Sequence, residues 1–333
     1  MDFIKIEFAK QILYNSLVKK EIGDFMEWYY IVLICLGALI VLYFITTFYA
    51  YIKTFTNPKD RKMQNVENSL YKSYKEYFAR RKEIFDSYKK EEISIQSRDN
   101  LTLRGIYVEN KIKDKIVIIF HGFKSKGDSD ILLSYDFYIL GYSMIIVDQR
   151  AHGKSDGKYI GMGILERFDV LEWIKYTINR FGENIKILLG GTSMGSATIM
   201  MASELIKDEQ VKGIVADCGF SSCYDEVRFC LSKLPSFPIM QTINLYSRLF
   251  AKYDMRKVTS KDSLSKSDIP IFISHGKNDT FVPCINAEIC YNASRSKIKD
   301  MVCFDNSIHA SSYADHSEEY DKKVREFLRK IDF

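Results

Sequence analysis

Ile187-Leu188-Leu189-Gly190-Gly191-Thr192-Ser193-Met194-Gly195 is the stretch on which the fold of this chain turns. A short apolar run ends in G-x-S-x-G, and a helical stretch over 194–207 follows. A continuous apolar run of this length reads as a buried strand. The glycines make a sharp strand-to-helix turn, which lifts the serine oxygen above the sheet. The following helix N-terminus favours developing negative charge there. A serine that only caps a helix is the plainer alternative, and the strand before it argues against that reading.

Outward from this turn, further apolar runs lie at Ile116–Phe120, Met144–Val147, Gly213–Ala216, Ile271–Ser274 and Met301–Phe304. Helical stretches separate them around 162–180, 284–296 and 316–331. Residues 92–97 and 101–108 alternate and form a hairpin around Asp99–Asn100. Short apolar strands alternating with helices imply a mostly parallel, doubly wound α/β sheet covered on both faces. Functional groups in such sheets gather at the carboxyl ends of the strands.

A serine nucleophile needs a base, and the base needs an orienting carboxylate. On this sheet the expected chain order is Ser, then Asp, then His. Asp279 follows the strand Ile271–Ser274, and His309 lies on the loop after the last strand. Asp217, at the tip of the preceding strand, is the rival acid. His316 starts the terminal helix, while His121, His152 and His275 precede glycines at strand tips and are expected to bond loop backbone. The oxyanion of a tetrahedral intermediate needs backbone donors. The amide of Met194 is one, and the loop His121-Gly122-Phe123 supplies the amide of Phe123 as the other. Gly122 lets that backbone approach substrate closely.

Five segments, HGF (121–123), DQRAHGKS (148–155), GTSMG (191–195), HGKNDTFVP (275–283) and SIH (307–309), resemble the α/β-hydrolase family. The chain is similar to its single-pass, membrane-anchored serine hydrolases of the Bem46-like and monoglyceride-lipase-like type, over about residues 91–333. The resemblance implies a Ser193, Asp279, His309 triad and an oxyanion hole at Phe123 and Met194, with His121, Gly122, Gly191 and Gly195 shaping the supporting loops. Ala151 departs from the pattern, where the family's DxRGHG loop usually has glycine. The family includes esterases, lipases, thioesterases and peptidases, so the resemblance implies no particular substrate.

The insertion at about 220–265 falls between the sixth and seventh main strands, where such folds place a small helical cap. Phe220, Phe229, Leu234, Phe237, Met240, Leu249 and Phe250 make it apolar. They would either cover the serine and suit acyl chains or pack the cap onto the sheet. The seven cysteines include no CxxC pair, which argues against a disulfide framework or a zinc ribbon. No metal-ligand set, Walker loop or dinucleotide GxGxxG appears, so no metal or other cofactor is expected.

Before the hydrolase-like region comes Trp28–Ile52, 25 residues without a charge. About 20 suffice to cross the hydrocarbon, and tyrosines and a tryptophan mark both ends. A tail (1–27), a transmembrane helix (28–52) and a basic amphipathic linker helix (53–90) are therefore expected before the domain (91–333). Leu70, Tyr74, Tyr77, Phe78, Ile84, Phe85 and Tyr88 stripe one face of the linker. That stripe either packs on the domain, the plainer reading, or lies on anionic lipid. Six basic residues within 53–75 against four before the span lean toward a cytoplasmic domain.

A chain of 333 residues with 47% apolar and 27% charged residues is globular, with room for a large core. A net charge of +5 does not suggest nucleic acid as a partner. The expected activity is a membrane-anchored serine hydrolase acting on an acyl ester, which could be a lipid. The alternatives are a serine peptidase or thioesterase with the same triad, or a non-catalytic scaffold.

Overall fold

The computed structural model describes residues 2–56, 72–127 and 131–333. The chain forms two compact units, Met1–Ile52 and Lys53–Phe333. Helix α1 runs without interruption over Asp2–Phe55, so the expected tail and span are one helix. By length and composition Ile6–Phe55 is apolar enough to cross a membrane, with a peak mean hydropathy of 2.7.

The second unit is built on an eight-stranded sheet in the order β1-β2-β4-β3-β5-β6-β7-β8. Its strands are β1 (Lys90–Gln96), β2 (Thr102–Val108), β3 (Ile112–Phe120), β4 (Tyr142–Asp148), β5 (Lys186–Thr192), β6 (Val211–Asp217), β7 (Ile271–Gly276) and β8 (Lys299–Phe304). β2 pairs antiparallel with β1 and β4, and every other pairing is parallel. The expected doubly wound α/β sheet and hairpin are thus present.

Side-chain alternation divides the core into two layers. Ile116, Ile118 and Phe120 of β3 face one layer, which takes Val170, Trp173 and Ile174 from α4 (Glu166–Phe181) and Ile199 from α5 (Met194–Ala202). Val117 and Ile119 face the other, which takes Phe137 from α3 (Ile131–Ile139) and Tyr320, Val324 and Phe327 from the C-terminal helix (Ser317–Lys330).

Helix α2 (Lys75–Asp86) belongs to this second layer. Phe85 and Tyr88 are buried in it, and Tyr77 and Ile84 pack against it. The plainer reading of the stripe holds for this part, while Leu70 and the rest of 57–71 lie outside the described residues. Arg81 is buried between the rings of Tyr77, Tyr135 and Tyr313, 4.1–4.4 Å from their centroids, and meets Asp136 at 3.2 Å. A buried charge is tolerated only with such partners.

The insertion between β6 and β7 is helical, with α6 (Cys223–Cys230), α7 (Ser236–Tyr246) and α8 (Ser260–Leu264). Phe220 and Met240 are buried. Phe229, Leu234, Phe237, Leu245, Leu249 and Phe250 are exposed.

Candidate active site

Ser193 links β5 to α5 with φ 55° and ψ −115°, a sparsely populated backbone region. The turn is possible because its flanks are glycine. A Cβ on Gly191 would sit 2.6 Å from the Gly195 carbonyl carbon, and one on Gly195 would sit 2.0 Å from the Phe120 oxygen. The Ser193 amide donates to the Asp217 carbonyl at 2.8 Å. The Ser196 hydroxyl lies within hydrogen-bond reach of the carbonyls of Gly191 (2.5 Å) and Asp217 (2.6 Å). These bonds hold the strained turn in place.

The structure brings Ser193, His309 and Asp279 together from the ends of β5, β8 and β7. His309 Nε2 lies 3.0 Å from Ser193 Oγ, and His309 Nδ1 lies 2.6 Å from Asp279 Oδ2. A carboxylate can only accept, so Nδ1 carries the proton and Nε2 is left to accept from the serine. Asp279 Oδ1 accepts the amides of Phe281 (2.9 Å) and Val282 (2.8 Å). Burial raises the Asp279 carboxyl, but hydrogen bonds from His275 and His309 outweigh it and hold the group well below the usual carboxylate range. The chain therefore ends in a fixed anion.

Asp217 is elsewhere. Its Oδ1 accepts from the Ser274 hydroxyl at 2.6 Å, and burial pushes its carboxyl up. It supplies backbone to the serine turn and does not hold the histidine.

The amides of Met194 and Phe123 have no acceptor among the described residues. Met194 opens α5, where an unpaired amide is ordinary. The loop carrying Phe123 is held by two of the three histidines that precede glycine, His121 and His152. His121 Nδ1 donates to the Gly122 carbonyl (2.7 Å) and its Nε2 accepts the Gln149 amide (3.1 Å). His152 Nδ1 donates to the Arg150 carbonyl (2.9 Å) and its Nε2 accepts the Lys124 amide (3.1 Å). Burial lowers the pKa of His152 to about 3, so it stays neutral. His275 Nε2 donates to the Val282 carbonyl at 2.8 Å, and His316 Nε2 lies 2.8 Å from the Asp305 carbonyl.

Gln149, within the DQRAHGKS segment, has a role that the sequence does not single out. Its amide nitrogen donates to the His121 carbonyl (2.6 Å) and its oxygen accepts from Thr198 of α5 (3.1 Å), tying the two loops together. Its position at a strand tip was the available signal. Arg150 beside it forks between Asp169 and Asp99 at 2.7–3.0 Å. Ala151 holds φ 60°, where the family's usual glycine would be unstrained. Among the described residues no cluster of His, Cys, Asp or Glu is arranged to hold a metal ion.

A family model described as serine aminopeptidase, S33, matches residues 111–265. The uncharacterized protein YqkD of Bacillus subtilis (strain 168) is 28% identical over 250 residues, covering 74% of this chain and 81% of YqkD. The Pyrococcus furiosus esterase Pf2001 is similar in structure, with a TM-score of 0.62 at 23% identity over 83% of this chain and 98% of its own. An acylaminoacyl peptidase of Pyrococcus horikoshii gives a TM-score of 0.57 at 17% identity, over 74% of this chain and 42% of that one. At these identities the likeness to the solved structures is one of fold.

Proposed function

We propose that this chain, which has the α/β-hydrolase fold, is a membrane-anchored serine hydrolase that cleaves carboxylic ester bonds through an acyl-enzyme. The observation that carries the proposal is the hydrogen-bonded chain from Ser193 through His309 to Asp279.

Ser193 Oγ attacks the acyl carbon while His309 Nε2 takes its proton. The imidazolium so formed faces the Asp279 carboxylate, which stabilises it and keeps Nδ1 protonated. The Met194 and Phe123 amides, at the start of α5 and in the braced 121–124 loop, are the donors for the oxyanion. One such donor typically contributes about 10²–10³ in rate. His309 then returns its proton to the leaving alkoxide, and water, activated by the same nitrogen, releases the acid.

The exposed apolar side chains of the insertion, Phe229, Phe237 and Leu249 among them, support an ester with an acyl chain. A peptidase with the same machinery is the second reading, favoured by the description of the matching family model. The excess of basic residues after the apolar run supports a cytoplasmic domain.

The test pairs a probe with a substrate series. A fluorophosphonate should label Ser193, and labelling that survives in Ser193→Ala would sink the assignment. p-Nitrophenyl esters of graded chain length should be turned over well above aminoacyl amides. The opposite preference would make the protein a peptidase.

A further inference from the structure

Cys284 and Cys303 take no part in the chemistry above, yet their sulfurs lie 3.0 Å apart across 19 positions of sequence. We propose that this pair is a redox site that closes into a disulfide and clamps the Asp279 loop to β8, the strand that leads to His309.

Three features fix the juxtaposition. Cys303 lies in β8 opposite His275 of β7 in the parallel register. The His275 ring bonds the Val282 carbonyl, two residues before Cys284, so the loop is tied to β7 beside Cys303. Cys284 then caps α9 (Ile285–Ala293). A disulfide has sulfurs about 2.05 Å apart, so closure asks for a movement of about 1 Å. Both residues are half-buried and within reach of a small oxidant. The other cysteines are placed differently. Cys218, Cys223 and Cys290 are buried, and Cys35 and Cys230 are exposed.

The co-reactant is a small disulfide such as oxidised glutathione. The thiolate of one cysteine attacks it and releases one glutathione, leaving a mixed disulfide. The second cysteine loses its proton, attacks the protein-bound sulfur and releases the second glutathione. Two electrons and two protons pass from the cysteines to two glutathione molecules. Burial, followed by the neighbouring Cys303, pushes the Cys284 thiol up to about 12. Attack needs a thiolate, so mild alkali speeds the step.

The test uses the folded full-length chain in detergent. It is incubated with oxidised glutathione at pH 8.5, denatured, alkylated and digested. The expected product is one cross-linked peptide joining Cys284 to Cys303, with the other five cysteines alkylated and both thiols regained on reduction. The oxidised protein should melt about 5–10 °C higher than the reduced one, and Cys284→Ser or Cys303→Ser should each remove that rise. Recovery of both as alkylated thiols after prolonged oxidation would overturn the proposal. So would a stable mixed disulfide on one of them, or a different cysteine pair linking first. The readouts need no ester hydrolysis, so failure of the esterase reading leaves them intact.

Discussion

Asp217 and Asp279 belong to neighbouring strand ends but to different electrical surroundings. Asp279 accepts two backbone amides and meets His309, which keeps it ionised. Asp217 is buried against a neutral hydroxyl, and burial favours its protonated form. Asp279→Asn should cut kcat by about 10³–10⁴, because the amide no longer fixes the tautomer or stabilises the cation. Asp217→Asn should cost far less in rate, and steady-state kinetics on one soluble ester with both variants decides the matter. A larger loss at Asp217 would show that the wrong acid is assigned. Gly195→Ala is a sharper case, since its methyl would meet the Phe120 carbonyl at 2.0 Å. The turn must shift, and fluorophosphonate labelling of Ser193 should fall at least 100-fold, or the chain should fail to fold. These positions were legible in the sequence because spacing at strand tips dictates them. Gln149 was not, because its role depends on β4 lying beside β3 and on α5 crossing above, which are facts of packing.

The elements of the sheet were also legible, since each strand is a continuous apolar run with a polar tip. The cap was legible only as a segment. An apolar side chain on a short helix can face the sheet, the serine or solvent, and nothing in its sequence chooses. Phe220 and Met240 turn inward, while Phe237 is 75% exposed. Glu226 on α6 is the unexpected inward residue, only 5% exposed. Burial raises its carboxyl from 4.5 to about 7, against a small opposing effect of the Cys230 thiol, with Asp279 adding repulsion and His275 relieving it. A carboxyl with a raised folded pKa holds its proton more tightly folded than unfolded. Its contribution is therefore complete below about pH 4.5 and is lost as pH rises to about 7, a change on the order of 3 kcal/mol. Glu226→Gln cannot ionise and keeps the acceptor for Cys230. The variant should match the wild type at pH 5 and be more stable at pH 8, as read by denaturant midpoints across that range. Parallel stability curves for the two proteins would refute this.

At the scale of the whole chain, the apolar helix and the hydrolase unit make separate demands. Helix α1 has 54 residues, so at 1.5 Å each it is about 80 Å long, against roughly 30 Å of hydrocarbon. Only part of it can cross. In the proposed anchored form the uncharged run Trp28–Ile52 is the part that crosses, since Lys5, Lys10, Lys19 and Lys20 would be costly within the bilayer. Full-length protein should then resist carbonate and yield only to detergent. Release by carbonate would remove the anchor from the proposed function. The sequence suggests cutting after residue 56, because every catalytic motif lies beyond 120. The structure moves the cut. Phe55 is 2% exposed, its carbonyl accepts the Ile160 amide at 2.8 Å, and the Lys53 carbonyl accepts Lys124 Nζ at 2.7 Å. Losing a buried phenylalanine costs about 3–5 kcal/mol when cut back to alanine, and removing its backbone bonds adds to that. A chain beginning at Lys53 should therefore be soluble and hydrolyse p-nitrophenyl acetate at the full-length rate. One beginning at Asn57 should melt at least 5 °C lower, with a loosened Lys124 loop and a reduced kcat. Equal melting temperatures and rates for the two truncated chains would show that Lys53–Thr56 is only a tether.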